Sequence, residues 1–179
     1  MTWIKYLLMW ILFLCMGLLA AVAQDQENTA VEWLSWEEAI ARQQTDETPR
    51  KIFVDVYTDW CGWCKKMDKD TFSDKEVAEY VKDKFYMVKL DGEGKEEITY
   101  NGRTFKFVPA GRRGYHELAA ALLNNRLSYP TGVFLNERQQ LLFPVPGYHD
   151  AERFMKVARY VGENIYEDTS WDDYNAAVK

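Results

Sequence analysis

Lys51 to Tyr57, KIFVDVY, is the segment that most restricts what this chain can fold into. It has strand length and β-forming composition, and its interior is apolar on both alternating faces except at Asp55. A strand covered on both sides belongs in the middle of a sheet, with helices above and below it. The motif Cys61-Gly62-Trp63-Cys64 follows almost at once, and Cys64 to Asp70 has helix-forming composition. A helix that starts at a cysteine presents free N–H groups and the positive end of its dipole to the sulfur, which favours the thiolate. Two intervening residues bring the second sulfur one turn on, within reach of the first. On this reading Cys61 is the exposed attacking thiol and Cys64 the more buried resolving thiol.

The flanking segments alternate helix and strand. Ser35-Trp36-Glu37-Glu38 is a capping box, and the helix it starts should end near Gln44. Thr71 to Asp74 breaks and restarts a helix, with Val77, Tyr80 and Val81 on its apolar face, and Phe85 to Leu90 is the next strand. The order α-β-α-β predicts a crossover and a parallel pair. Asp91 to Glu97 is an acidic turn, and Asn101-Gly102 inside Ile98 to Val108 is a type I′ hairpin signal. Tyr115 to Arg126 reads as a helix, Gly132 to Leu135 and Gln140 to Val145 as strands, and Asp150 as the cap of a helix reaching about Ile165. Ser170 to Val178 offers one further turn.

The first 23 residues differ from the rest. Lys5 precedes a 13-residue uncharged run, Leu7 to Leu19, and Ala21-Val22-Ala23 has the small-x-small form of a cleavage site. This predicts a signal peptide over 1–23 and an exported, periplasmic or extracytoplasmic domain; the alternative is a membrane anchor formed by residues 6–23. A polar leader follows over 24–32, then the folded domain over 33–166 and a tail over 167–179. Cleavage would leave Cys61 and Cys64 as the sole cysteines, too close in sequence for their disulfide to restrict the unfolded chain much, so redox chemistry explains the pair better than stapling. Zinc would need more ligands, and His116 and His149 are the only histidines, both expected at the surface. A c-type haem needs His where Lys65 stands. No metal and no cofactor are therefore expected. The net charge of −6 and the absence of a Lys/Arg-rich stretch argue against nucleic acid as a partner.

The segment VDVYTDWCGWCKKM, in its strand–motif–helix setting, resembles the active-site segment of the thioredoxin superfamily. The continuation with TFSD is similar to the periplasmic C-terminal domain of the disulfide reductase DsbD and to small exported thioredoxin-like proteins. The resemblance covers roughly Trp33 to Ile165. It implies an α/β thioredoxin-like fold, a central mixed sheet flanked by helices, with a hairpin-plus-helix insert (about 92–128) ahead of the cis-proline strand. It also implies that Cys61 is the nucleophile and Cys64 the resolving cysteine. Asp55 falls at the buried acid, Lys89 at its paired lysine, Pro130 at the cis-proline that guides substrate backbone, and Gly147 at the substrate-facing loop. Substrate-binding candidates are thus Trp60, Trp63, Tyr129, Pro130, Thr131 and Gly147. Trp63 replaces the usual proline, Lys69 stands where a helix-kinking proline is usual, and the insert adds about twenty residues, long for a plain connection.

Several roles stay open at this level. Asp55 either takes a proton from Cys64 or is a hydrogen-bonded strand residue, and Lys89 reads more readily as structural. Trp60 and Trp63 either meet substrate or cover the core; the insert is a lid, a partner surface or decoration. The implied activity is a thiol–disulfide oxidoreductase acting on disulfides of exported proteins and recharged by an electron-donor thiol protein, either membrane-bound or of thioredoxin type. Gly62 and Trp63 place no charge between the cysteines, and an ionised Asp55 disfavours a thiolate; both lean towards the reducing direction. The alternatives are a disulfide isomerase and a redox-inactive binding module on the same fold.

Overall fold

The computed structural model describes residues 30–178. The expected signal peptide and residues 24–29 of the leader lie outside the described residues. Nine strands are present among those described: β1 (Trp33–Leu34), β2 (Lys51–Tyr57), β3 (Phe85–Asp91), β4 (Ile98–Tyr100), β5 (Arg103–Phe105), β6 (Phe107–Val108), β7 (Tyr115–His116), β8 (Thr131–Leu135) and β9 (Leu141–Pro146). The helices are α1 (Trp36–Thr45), α2 (Gly62–Asp70), α3 (Lys75–Lys84), α4 (Glu117–Leu122), α5 (Ala151–Gly162) and α6 (Trp171–Ala177).

The main sheet has the order β1-β3-β2-β8-β9. β1, β3 and β2 run parallel, whereas β8 and β9 are antiparallel to their neighbours, so the sheet is mixed. As its composition predicts, β2 is central, and all its residues but Tyr57 are buried. Its side chains alternate between two apolar layers. Ile52, Val54 and Val56 face α1 and the insert, while Phe53 faces α2, α3 and α5. Pro144 and Pro146 lie on β9, an edge strand, where a missing N–H breaks no ladder.

Local signals are realised where they are strong. The Ser35–Glu38 capping box closes in both directions. Asn101 and Gly102 both have positive φ, 50° and 74°, the backbone that a type I′ turn requires. The insert is no mere decoration, because Phe105, Leu118, Leu122 and Leu123 fill the layer over Val54 and Val56.

Three expectations need correction. The helix expected from Tyr115 begins only at Glu117: Tyr115 and His116 pair with β6, and the His116 ring accepts the Leu118 N–H as the helix cap. It ends at Leu122, where Asn124 and Asn125 turn left-handed. His116 and His149, expected at the surface, are both buried. The His116 Nε2–H donates to the Glu96 carbonyl at 3.0 Å, which satisfies the ring inside the insert. The tail forms α6, and its Tyr174 packs on Tyr160 of α5 with ring centroids 5.2 Å apart.

Candidate active site

At the end of β2 the chain turns, with the Cys61 N–H donating to the Thr58 carbonyl, and α2 starts. Cys61 is the N-cap of that helix, and its Sγ accepts the Cys64 N–H at 3.1 Å. This is the arrangement that stabilises negative charge on the first sulfur once the pair is reduced. The two cysteines are joined as a disulfide across 5.3 Å between Cα atoms. Cys61 retains 5% exposure against 1% for Cys64. The order of access is as expected, but the attacking sulfur is more enclosed than an exposed thiol.

Asp55 is buried on the sheet face that Phe53 shares with Met67 of α2. Its Oδ2 accepts from Lys89 Nζ at 2.6 Å, while its buried Oδ1 has no hydrogen-bond partner among the described residues. Burial pushes the Asp55 carboxyl upward, Lys89 pulls it back, and the nearby Asp68 adds to the rise. Lys89 also bonds Asp68 of α2, and its ammonium lies over the Trp33, Tyr57 and Phe72 rings at 4.7, 5.0 and 5.6 Å. Burial works against that ammonium, but the two carboxylates outweigh it and raise the Lys89 pKa. Lys89 is therefore a bridge from the buried acid to the helix that carries the cysteines. Asp68 went unread in the sequence, although it lies one helical turn beyond Cys64, a spacing that shares a face.

The remaining candidates gather at the same end of the sheet. Thr131 pairs with Val56, so Pro130 enters β8 beside the C-terminal end of β2. The Tyr129–Pro130 bond is cis. The Pro130 carbonyl accepts the N–H of Gly147, which sits at φ 93°, a conformation that favours glycine. Thr131 is buried, and its hydroxyl donates to the Ser128 carbonyl at 2.8 Å. Trp60 and Trp63 flank the disulfide at 52% and 59% exposure. Trp60 meets the Tyr129 ring edge-on at 6.0 Å, and Trp63 meets Tyr148 at 5.4 Å. Tyr148, held by Asp70, and Gly92, against which the Tyr129 ring is packed, carry no sequence signal of their own. Among the described residues, no group of three or more His, Cys, Asp or Glu side chains is arranged to hold a metal ion.

A disulfide of adjacent-turn cysteines at a helix N-terminus, with a cis-proline at the same end of a sheet of this order, is a thioredoxin-superfamily arrangement. Over residues 20–170 the sequence matches the family described as Thioredox_DsbH, protein of unknown function, DUF255. The chain belongs to that family. Among solved structures, the chain is similar to a DsbH oxidoreductase, with a TM-score of 0.53 and 19% identity, covering 79% of this chain and 92% of that one. It is also similar to a thioredoxin from Thermus thermophilus, with a TM-score of 0.54 and 21% identity over 74% and 87% of the two chains. At those identities the likeness shows the fold. A putative disulphide-isomerase from Bacteroides thetaiotaomicron is 28% identical, with a TM-score of 0.50, covering 79% of this chain and 95% of that one. Among curated proteins, 64 residues are 31% identical to the thiol:disulfide interchange protein DsbD of Citrobacter koseri, which is 36% of this chain and 11% of that protein. Human spermatogenesis-associated protein 20 is 29% identical over 76 residues, 42% of this chain and 9% of that protein. The chain thus corresponds to about a tenth of the length of the curated relatives it matches.

Proposed function

We propose that this protein is a thiol–disulfide oxidoreductase that reduces disulfides of exported proteins. The observation that carries the reading is the Cys61–Cys64 disulfide at the N-terminus of α2, at the end of β2 where the cis Tyr129–Pro130 bond enters β8. In the reduced protein the Cys61 thiolate attacks one sulfur of a client disulfide. The client S–S bond breaks, one client sulfur leaves as thiolate, and a mixed disulfide forms on Cys61. Cys64 gives its proton to Asp55 and attacks Cys61, releasing the second client thiolate and closing the Cys61–Cys64 bond. Two electrons pass to the client, and a reducing thiol protein restores the dithiol. Trp60, Trp63, Tyr129 and Gly147 form the client surface around Pro130, whereas the Thr131 side chain is buried and does not reach it. Export rests on the apolar run at 7–19 and the Ala21-Val22-Ala23 site.

The test of direction is equilibration of the Cys61–Cys64 pair against glutathione buffers. A reductase lies near the thioredoxin value of about −270 mV, and a potential above roughly −180 mV would sink that direction. The isomerase reading draws on the 28% identity to the Bacteroides protein and predicts the higher value. Roles are read by trapping: Cys64→Ser accumulates mixed disulfides with client proteins, and trapping by Cys61→Ser instead would reverse the assignment. No reduction of insulin disulfides with dithiothreitol as donor would leave only a binding module.

A further inference from the structure

The insert's second hairpin, β6–β7, brings Arg113 to Trp60, the residue before Cys61, with Arg112 next to it in sequence. Its tip runs from Pro109 to Gly114, and the Arg113 guanidinium lies over the Trp60 ring, 4.1 Å from the centroid. Trp60 is held on a second side, because its Nε1–H donates to Glu93 Oε1 at 3.0 Å. The hairpin is fastened to the body. The buried His116 on β7 donates its backbone N–H to the Gly92 carbonyl at 2.7 Å, and the Gly92 N–H donates to Tyr57 at the end of β2. Gly114 closes the tip at φ 106°, where a Cβ would stand 2.4 Å from the Phe107 ring. The arginine is therefore placed by a packed element.

A guanidinium stacked on an indole uses its face and leaves its edge N–H fork free for a carboxylate. Arg112 and Arg113 are both exposed, and among the described residues neither forms an ion pair. Glu93, at the ring nitrogen of the same Trp60, and Asp59 and Asp91 near it form an acidic flank next to the arginine. We propose that the β6–β7 tip is a specificity-determining element: Arg113, supported by Arg112, selects clients that carry a carboxylate next to the reactive cysteine. This rests on the oxidoreductase reading of the same site.

The experiment uses the reduced protein and three disulfide peptides that differ only in the residues flanking cysteine: Asp, Asn or Lys. Rates are followed by tryptophan fluorescence, and each is divided by the rate of the same peptide with dithiothreitol, which removes differences in leaving-group pKa. Neutral hydroxyethyl disulfide reports the chemistry alone. At low ionic strength the Asp peptide should react about tenfold faster than the Lys peptide, and the ratio should collapse as salt screens the pair. Arg113→Glu should invert the ratio. Arg112→Glu should lower it, and with the wild-type salt dependence it decides the matter if the first variant does not fold. Equal normalised rates, or a ratio unmoved by both substitutions, would overturn the proposal. A preference for the Lys peptide would overturn it too and assign selection to the acidic flank. Failure to exchange with any disulfide, hydroxyethyl disulfide included, would instead remove the oxidoreductase reading and the proposal with it.

Discussion

Asp55 is held between two opposing effects, desolvation by the β2 interior and the ammonium of Lys89. Desolvation prevails, so its pKa stands above that of an unfolded aspartate. The stability such a group contributes is full below the unfolded value, about 3.9, and is lost as pH rises through the folded value. Asp55→Asn removes that titration. The variant should gain stability over the wild type progressively as pH rises from about 4. Urea unfolding at several pH values reads this directly, and a difference that stays flat with pH would contradict it. The same variant should slow the release of client from the Cys61 mixed disulfide, because Cys64 loses its proton acceptor. His149 shows the opposite sign. Burial holds its pKa below the ordinary histidine value, with Arg153 adding to the fall; Asp150 and the nearby Pro146 carbonyl oppose it weakly. Neither ring nitrogen has a hydrogen-bond partner at normal geometry among the described residues. The unfolded chain therefore binds a proton first, and stability should fall as pH drops below about 6.5. His149→Gln should flatten that limb; an unchanged pH profile would show that the ring is not the group responsible.

Elements position the chemistry through a few close approaches. The turn after β3 brings Gly92 so near the Tyr129 ring that a Cβ would stand 2.5 to 2.6 Å from it. Tyr129 is in turn the residue before the cis-proline and a ring partner of Trp60. Gly92→Ala should force the ring or the strand-entry loop to move, at a cost of about 1–3 kcal/mol. It should also slow exchange with protein disulfides more than with a small disulfide, since the client surface is displaced while α2 is untouched. Denaturant midpoints and the two rates measured together decide this; equal slowing of both would place the damage at the cysteines instead. The start of α2 rests on a different principle. Cys61 is both N-cap and reactive atom, so one backbone geometry satisfies the helix end and prepares the sulfur.

At the scale of the whole molecule, the sheet separates two apolar layers, and each reaches beyond a minimal βαβ frame. One layer is completed by the insert through Phe105 and α4. The other is completed by α6, whose Tyr174 and Trp171 continue an aromatic series from Phe143 through Tyr160. A helix of seven residues has little stability alone, so its order depends on that packing. Tyr174→Ala should cost about 2 kcal/mol or more in global stability. A loss under about 0.5 kcal/mol would mean that α6 lies outside the cooperative unit.

The sequence by itself determined the elements whose cause is local. A doubly apolar run made β2 central, Ser35 and Glu38 capped α1, Asn101-Gly102 turned the first hairpin, and the cysteine spacing put both sulfurs on one helix end. In each case the deciding interactions span a few residues, so pattern alone predicts them. Asp55 stood out as the one charge inside the β2 run, the resemblance to thioredoxins added Lys89 and Pro130, and the structure brings all three to the same end of β2 or the layer behind it. Only the tertiary structure decided the rest. Asp68 meets Lys89 across 21 residues, and Trp60 meets Glu93 across 33. The fate of His116 turned on a carbonyl 20 residues away, which offers its ring a partner and so makes burial tolerable. A polar side chain carries no local sign of whether such a partner exists. Its position is set by which strands pair and which loops pack over them, and those choices belong to the whole chain.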